Sequence, residues 1–103
     1  MNQKRVERIS RMEMNLDESQ KAMEKLAAAM DQYEAVQAKY YKLARYYGSS
    51  LWLEDYEADE AGQLPSELKR GVLSEDGVYN LLLEHRELMK RLQKIVLRSL
   101  EEE

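Results

Sequence analysis

Apolar residues recur along the first half of the chain in alternating steps of three and four positions, from Ile9 to Tyr47. Such a repeat places one continuous apolar stripe along a helix and is typical of a coiled-coil seam. Only Ser19 and Gln37 interrupt it. We call this stripe the N-terminal seam; it consists of Ile9, Met12, Leu16, Ser19, Met23, Leu26, Met30, Tyr33, Gln37, Tyr40, Ala44 and Tyr47.

One long helix is predicted around this seam. The stretch from Gln3 to Tyr47 contains no Gly or Pro and is rich in Ala, Glu, Lys, Met and Gln, which favour helices. At a rise of ~1.5 Å per residue, this helix is about 65 Å long. Gly48 follows it, where a left-handed C-cap is expected. A break near residues 16–19, with Asp17 as the N-cap of a second helix, is the alternative.

A connector with short structured pieces is predicted over residues 48–73, which hold the only Pro of the chain. The segment SSLWLEDYE predicts a short helix capped by Ser49 or Ser50. The segment DEAGQ predicts a turn at Gly62. The segment LPSELKRG predicts a second short helix with Pro65 at its first position.

A second amphipathic helix is predicted over residues 74–100, with Ser74 as its N-cap. Gly77, in its first turn, costs ~1 kcal/mol relative to Ala. We therefore expect a bulky side chain, Trp52 or Tyr56, to cross close to this glycine. The apolar stripe of this helix consists of Val78, Leu81, Leu82, His85, Leu88, Met89, Leu92, Ile95, Val96 and Ser99.

Charges along the two long helices predict how they pair. An antiparallel register with the glutamates at 101–103 beside the arginines at 5, 8 and 11 brings many opposite charges together, and flanking charges set helix orientation. The same register places His85 opposite the alanines at 27–29. The predicted fold is therefore all-α, a long antiparallel helical hairpin with a structured connector containing short helices. We expect a single helical domain over residues 1–103.

Composition narrows the class of protein. The chain has 103 residues, 44% of them hydrophobic, which is enough for one domain with a core. It has no Cys, which excludes a disulfide framework, a thiolate zinc site and a Cys nucleophile. No apolar run approaches the ~20 residues of a membrane span, and the opening MNQKRVERIS lacks the apolar core of a signal peptide. We therefore expect a cytoplasmic protein that makes no membrane contact.

Seven carboxylates gather around the connector, where their oxygens could bind a cation. The spacing of residues 55, 57 and 59 imitates the start of a calcium loop, but Gly62 falls two places late and the twelfth position is not Glu. The favoured interpretation is solvated charge, partly paired with Lys69 and Arg70. A cation site and an acidic surface for a partner are the alternatives. The seven are Glu54, Asp55, Glu57, Asp59, Glu60, Glu75 and Asp76.

Three further features are candidate sites. His85 is the only histidine and lies on an apolar stripe, which favours a packed side chain over a general base.

Seven tyrosines and Trp52 concentrate toward the connector. They form either an aromatic groove for a ligand or, as we favour, a cap whose hydroxyls bind connector carboxylates. Basic residues at 86, 90, 91, 94 and 98 form a row, but the net charge of -4 argues against nucleic-acid binding.

The connector and the start of the last helix carry a family resemblance. The segment YYGSSLWLEDYEADEAGQLPSELKRGVLSEDGVYNLL resembles the signature of a small bacterial family of unknown function, DUF4298, and the opening RISRMEMNLDES resembles the start of that family. The resemblance extends from about Arg8 to about Met89. It implies a small helical protein of the cytosol of bacteria or phages. It implies no activity, cofactor or catalytic residues.

The function predicted from these features is that of a non-enzymatic protein-binding or adaptor module. Catalytic motifs are missing, while the connector carries more aromatic and acidic detail than a simple link needs. The alternative is a divalent-cation-binding protein or a metal-assisted hydrolase that uses the connector carboxylates. We expect an unidentified protein partner and no cofactor, and a homodimer is left open. The predicted binding residues are Trp52, Glu54, Asp55, Tyr56, Asp59 and Glu60.

Overall fold

A computed structural model describes residues 2–103 of the chain. Three α-helices and one 3-10 turn follow one another: α1 (Gln3–Tyr47), α2 (Ser50–Glu60), the 3-10 turn (Gly71–Leu73) and α3 (Gly77–Glu102). Residues 2–103 contain no β-strand, which confirms the all-α prediction. The chain divides into an N-terminal unit, which ends at Lys39, and a C-terminal unit, Tyr40–Glu103. The single domain expected over 1–103 stays a prediction.

Helix α1 runs without interruption over the range that the sequence predicts, so the alternative break near residues 16–19 is wrong. The Asn2 side chain caps its start by accepting a hydrogen bond from the Arg5 backbone N–H at 3.0 Å. The predicted left-handed C-cap at Gly48 is wrong, because Gly62 is the glycine with positive φ. Instead, Ser49 ends the helix: its backbone N–H and its hydroxyl both donate to the Tyr46 carbonyl, at 3.0 and 2.6 Å.

The connector forms one of its two predicted short helices. Ser49 caps α2 as expected, with its hydroxyl accepting from the Trp52 backbone N–H. The turn at Gly62 is confirmed by a φ of 69°. The second helix does not form. Pro65 only closes a single turn, in which its carbonyl accepts from the Leu68 N–H at 3.2 Å. A helix this short is unstable without packing, and Leu68 is about half exposed.

Helix α3 begins at Gly77, within a few residues of the prediction, and ends at Glu102. The N-cap residue of α3 is Asp76 and not the predicted Ser74, but the Ser74 hydroxyl does accept a hydrogen bond from the Gly77 backbone N–H at 3.1 Å. The expectation that Trp52 or Tyr56 crosses close to Gly77 is wrong. A Cβ atom at this position would instead lie 2.9 Å from the Gly71 carbonyl oxygen and 2.7 Å from the Ser74 hydroxyl.

The C-terminal unit contains both buried apolar residues of the part of the chain that the structure describes, Leu73 and Val78. The ring of His85 stacks on Tyr40, with 4.1 Å between ring centroids, so the predicted placement opposite residues 27–29 is wrong. Tyr40 lies two turns before the end of α1, and His85 lies two turns after the start of α3. Within this unit, therefore, the end of α1 and the start of α3 meet about two turns from the connector on each side, as the predicted antiparallel hairpin requires.

Candidate functional site

Helix α2 presents its aromatic face to the rest of the C-terminal unit. Trp52 and Tyr56 are four residues apart and therefore lie on the same side of the helix. Their rings stack, with centroids 5.2 Å apart and an angle of 19° between the planes. Tyr47 contacts Trp52 edge to face. The indole N–H of Trp52 donates to the Val72 carbonyl at 2.9 Å, which ties α2 to the 3-10 turn.

A short hydrogen bond joins α2 to the end of α1. The Tyr46 hydroxyl donates to the Asp55 carboxylate at 2.6 Å. This bond raises the pKa of Tyr46 to about 12, with smaller contributions from burial and from the negative charge of Asp55. The cap interpretation of the tyrosines predicts such a contact between a phenol and a connector carboxylate.

An ion pair closes the far end of α2 onto the segment that precedes the 3-10 turn. The Arg70 guanidinium donates to the Asp59 carboxylate at 2.6 Å, and both side chains are partly exposed. The predicted pairing of connector carboxylates with Arg70 is therefore confirmed for Asp59. Exposed pairs contribute only ~0.2–1 kcal/mol, so this one orients the segment more than it stabilises the fold.

An open groove of about 460 Å³ lies between α2 and residues 70–75, the segment that includes the 3-10 turn and precedes α3. It carries three carboxylates and one guanidinium, so its net charge is negative. The negative charge of Glu60 is the largest cause of a raised pKa of Tyr56, followed by burial and the charge of Glu75. The Tyr56 hydroxyl makes a long, 3.4 Å hydrogen bond to Glu75. The groove is lined by Tyr56, Asp59, Glu60, Arg70, Leu73, Ser74 and Glu75.

The structure separates the six predicted binding residues into three sets. It brings Tyr56, Asp59 and Glu60 together in the groove. Trp52 and Asp55 instead make the internal contacts described above. Glu54 is exposed on α2 and does not line the groove.

Sequence reasoning did not assign four groove residues as binding residues. A signal existed for two of them, because Glu75 belongs to the acidic cluster and Arg70 was expected to pair with it. Leu73 and Ser74 enter the groove only because the 3-10 turn folds back beside α2.

The metal alternative gains no support from residues 2–103. In that part of the chain, no three Asp, Glu or His side chains lie together in a way that could hold a metal ion. Asp55 and Asp59, two of the carboxylates on which that alternative depends, are engaged by Tyr46 and Arg70. Among the described residues, no helix has the length and apolar content that crossing a membrane requires.

Comparison with known proteins gives one family. No curated protein and no solved structure matches the chain. A match over residues 9–95 is found with the family described as a domain of unknown function (DUF4298). This range includes nearly all of the segment that carries the sequence resemblance. The chain therefore belongs to the DUF4298 family.

Proposed function

We propose that this chain is a non-enzymatic protein-binding module, and that its connector takes a basic side chain of a partner protein. The groove beside Tyr56 carries this proposal. It combines an aromatic ring with an excess of carboxylates on the surface of a folded segment. Lysine and arginine side chains bind such a combination through charge pairing and through contact with the ring.

The charges of the groove leave two carboxylates for a ligand. Asp59 is already paired with Arg70. Glu60 carries no such partner in the ion pairs of the described residues, and Glu75 receives only the long hydrogen bond from Tyr56. A guanidinium or ammonium group placed between Glu60 and Glu75 would offset their mutual repulsion. The groove therefore favours a cation over an anionic or neutral ligand.

The surface around the groove is folded before any partner arrives. Trp52, Asp55 and Asp59 each hold α2 by a contact to another segment. A preformed surface loses less conformational entropy on binding than a flexible loop does. Helix α2 also exposes Leu51 and Leu53, which add the apolar contact area of a protein interface.

Titration with argininamide, followed by amide NMR shifts, tests the recognition step. We expect shifts confined to the groove residues. Binding should weaken about tenfold, equivalent to ~1.4 kcal/mol, in the double variant Glu60→Gln/Glu75→Gln. The control Glu101→Gln/Glu102→Gln changes net charge equally at the end of α3 and should bind like wild type. Equal weakening in both double variants would contradict a specific groove.

The same three proteins, used as baits in cross-linking pull-downs, test the protein-binding role. We expect a protein that is captured by wild type and by the Glu101→Gln/Glu102→Gln control, and lost with the groove variant. The captured protein should present an exposed Lys or Arg that cross-links near Glu60. If the groove variant retains every captured protein, the proposed role of the groove is wrong.

A further inference from the structure

The N-terminal seam carries large apolar side chains that remain in contact with water. Helix α1 has no buried residue along Gln3–Tyr47, all of which the structure describes. Burying a side chain of this size contributes about 1.5–3 kcal/mol. Six seam residues in the N-terminal unit are between 50% and 64% exposed: Ile9, Met12, Leu16, Met23, Leu26 and Met30.

We propose that the seam over residues 9–30 pairs with the same seam of a second copy of this chain, in parallel and in register. A stripe that repeats every three and four residues meets an identical stripe at every layer of a coiled coil. A second copy supplies a helix with the same spacing and length, and in this proposal it takes the place beside residues 9–30 that the charge pattern alone assigned to α3. The repeat spans three heptads within the N-terminal unit alone.

Ser19 selects the parallel, in-register arrangement. There, the Ser19 hydroxyl meets the Ser19 hydroxyl of the second copy, and each can bond to the other. In an antiparallel arrangement centred on residue 21, Ser19 would meet Met23, which leaves the hydroxyl beside a thioether. A polar residue in a seam specifies register because mispairing leaves its hydrogen bond unmade.

The charges that flank the seam agree with this choice. In a parallel pair, a residue just before one seam position faces the residue five places later on the second copy. Arg8 therefore faces Glu13 of the second copy, and the symmetry repeats this ion pair. In an antiparallel pair, Arg8 instead faces the same flank of the second copy, near Ala29 and Val36. The ion pair with Glu13 is then lost. Each exposed pair contributes only ~0.2–1 kcal/mol, enough to select an orientation.

Single-cysteine variants test this pairing without interference, because the chain has no native Cys. Under mild oxidation, we expect Ser19→Cys and Leu26→Cys each to form a covalent dimer. Lys21→Cys, on the opposite face of the same helix, should stay monomeric on a denaturing gel. A Met12→Cys and Met30→Cys mixture that forms the mixed disulfide in preference to either self-disulfide would overturn the parallel register, because these two positions face each other in the antiparallel arrangement.

Light scattering on a matched pair of methionine variants tests the association itself. Wild-type protein should show twice the mass of one chain. Met12→Lys, on the seam, should halve that mass, whereas Met14→Lys, on the opposite face and similarly exposed, should not. Helix content by circular dichroism separates loss of pairing from loss of folding. A monomeric wild type at high micromolar concentration would overturn the proposal, without bearing on the groove of the C-terminal unit.

Discussion

Gly77 shows how a single methyl group can decide the packing at the start of α3. Its amide donates to Ser74, and its Cα faces the backbone of the 3-10 turn. An added Cβ would come within 2.9 Å of the Gly71 carbonyl oxygen. The Ser74 hydroxyl, also close, could rotate away, but the Gly71 carbonyl cannot move without shifting the turn. A glycine at this position therefore permits the close approach of α3 to the turn.

We expect Gly77→Ala to lower the free energy of unfolding by about 1–2 kcal/mol. Overpacking costs ~1–3 kcal/mol and outweighs the ~1 kcal/mol that Ala gains in a helix. Gly71→Ala is the matched control, because a Cβ there meets no atom within 4 Å. Urea denaturation of the three proteins measures the difference. A Gly77→Ala variant as stable as wild type would show that the turn relaxes at little cost.

At the scale of elements, the bond between Tyr46 and Asp55 joins the end of α1 to α2. It closes the tight corner formed by Gly48 and Ser49, where the chain leaves one helix and enters the next. The phenol proton is shared with a carboxylate, so losing that proton would place two negative charges in contact. The corner is therefore sensitive to alkaline pH.

We expect the stabilising contribution of Tyr46 to be present below pH 10 and lost as the pH rises toward about 12. The folded state holds the phenol proton up to a pKa of about 12, whereas the unfolded state releases it near the ordinary value of 10.0. The unfolded state thus binds fewer protons across this window, and stability falls as pH increases. Ultraviolet titration of wild type should show one tyrosine with a displaced pKa.

Two variants identify the residue that causes the displaced tyrosine pKa. Tyr46→Phe should remove the displaced titration and flatten the decline in stability between pH 10 and 12, relative to wild type. Asp55→Asn keeps a hydrogen-bond acceptor but removes the charge, so the pKa of Tyr46 should move back toward its ordinary value. If the displaced tyrosine persists in Tyr46→Phe, another residue carries it.

At the scale of the whole molecule, the main observation is how few apolar residues are buried. Within residues 2–103, Leu73 and Val78 alone reach that state, and both belong to the C-terminal unit. Burial of apolar surface is the main favourable contribution to folding. This chain is 44% hydrophobic but buries little of its apolar surface. Association with another chain would therefore stabilise it more than it would stabilise a protein with a complete core.

If the proposed pairing forms, the thermal midpoint should depend on protein concentration. Each tenfold dilution reduces the stabilisation from association by ~1.4 kcal/mol. For a dimer of this size, that corresponds to a decrease of about 2–5 °C. Differential scanning calorimetry over a hundredfold range of concentration measures it. Met12→Lys should melt at a midpoint independent of concentration, and wild type with the same behaviour would contradict association.

The sequence by itself determined the elements of this protein. The absence of Gly and Pro over 3–47 predicted the length of α1, and Ser49 and Gly62 predicted the start of α2 and the turn beyond it. These signals are local, because a cap or a turn depends on residues within a few positions. The helix predicted after Pro65 does not form. The segment carries local helix signals, but a helix of this length is not stable without packing against the rest of the protein.

The tertiary structure decided which residues meet. His85 stacks on Tyr40, and Gly77 faces the Gly71 carbonyl. Asp55 accepts a hydrogen bond from Tyr46 within the protein, although the sequence predicted it as a binding residue. Apolar stripes accept several registers of similar energy, and flanking charges add only tenths of a kilocalorie per pair. The choice among these registers depends on the path of the connector, and the hydrogen bond from Trp52 to Val72 is one of the contacts that hold this path, between residues twenty positions apart. Local patterns do not encode such a path, because it follows from the contacts that all the connector residues make together.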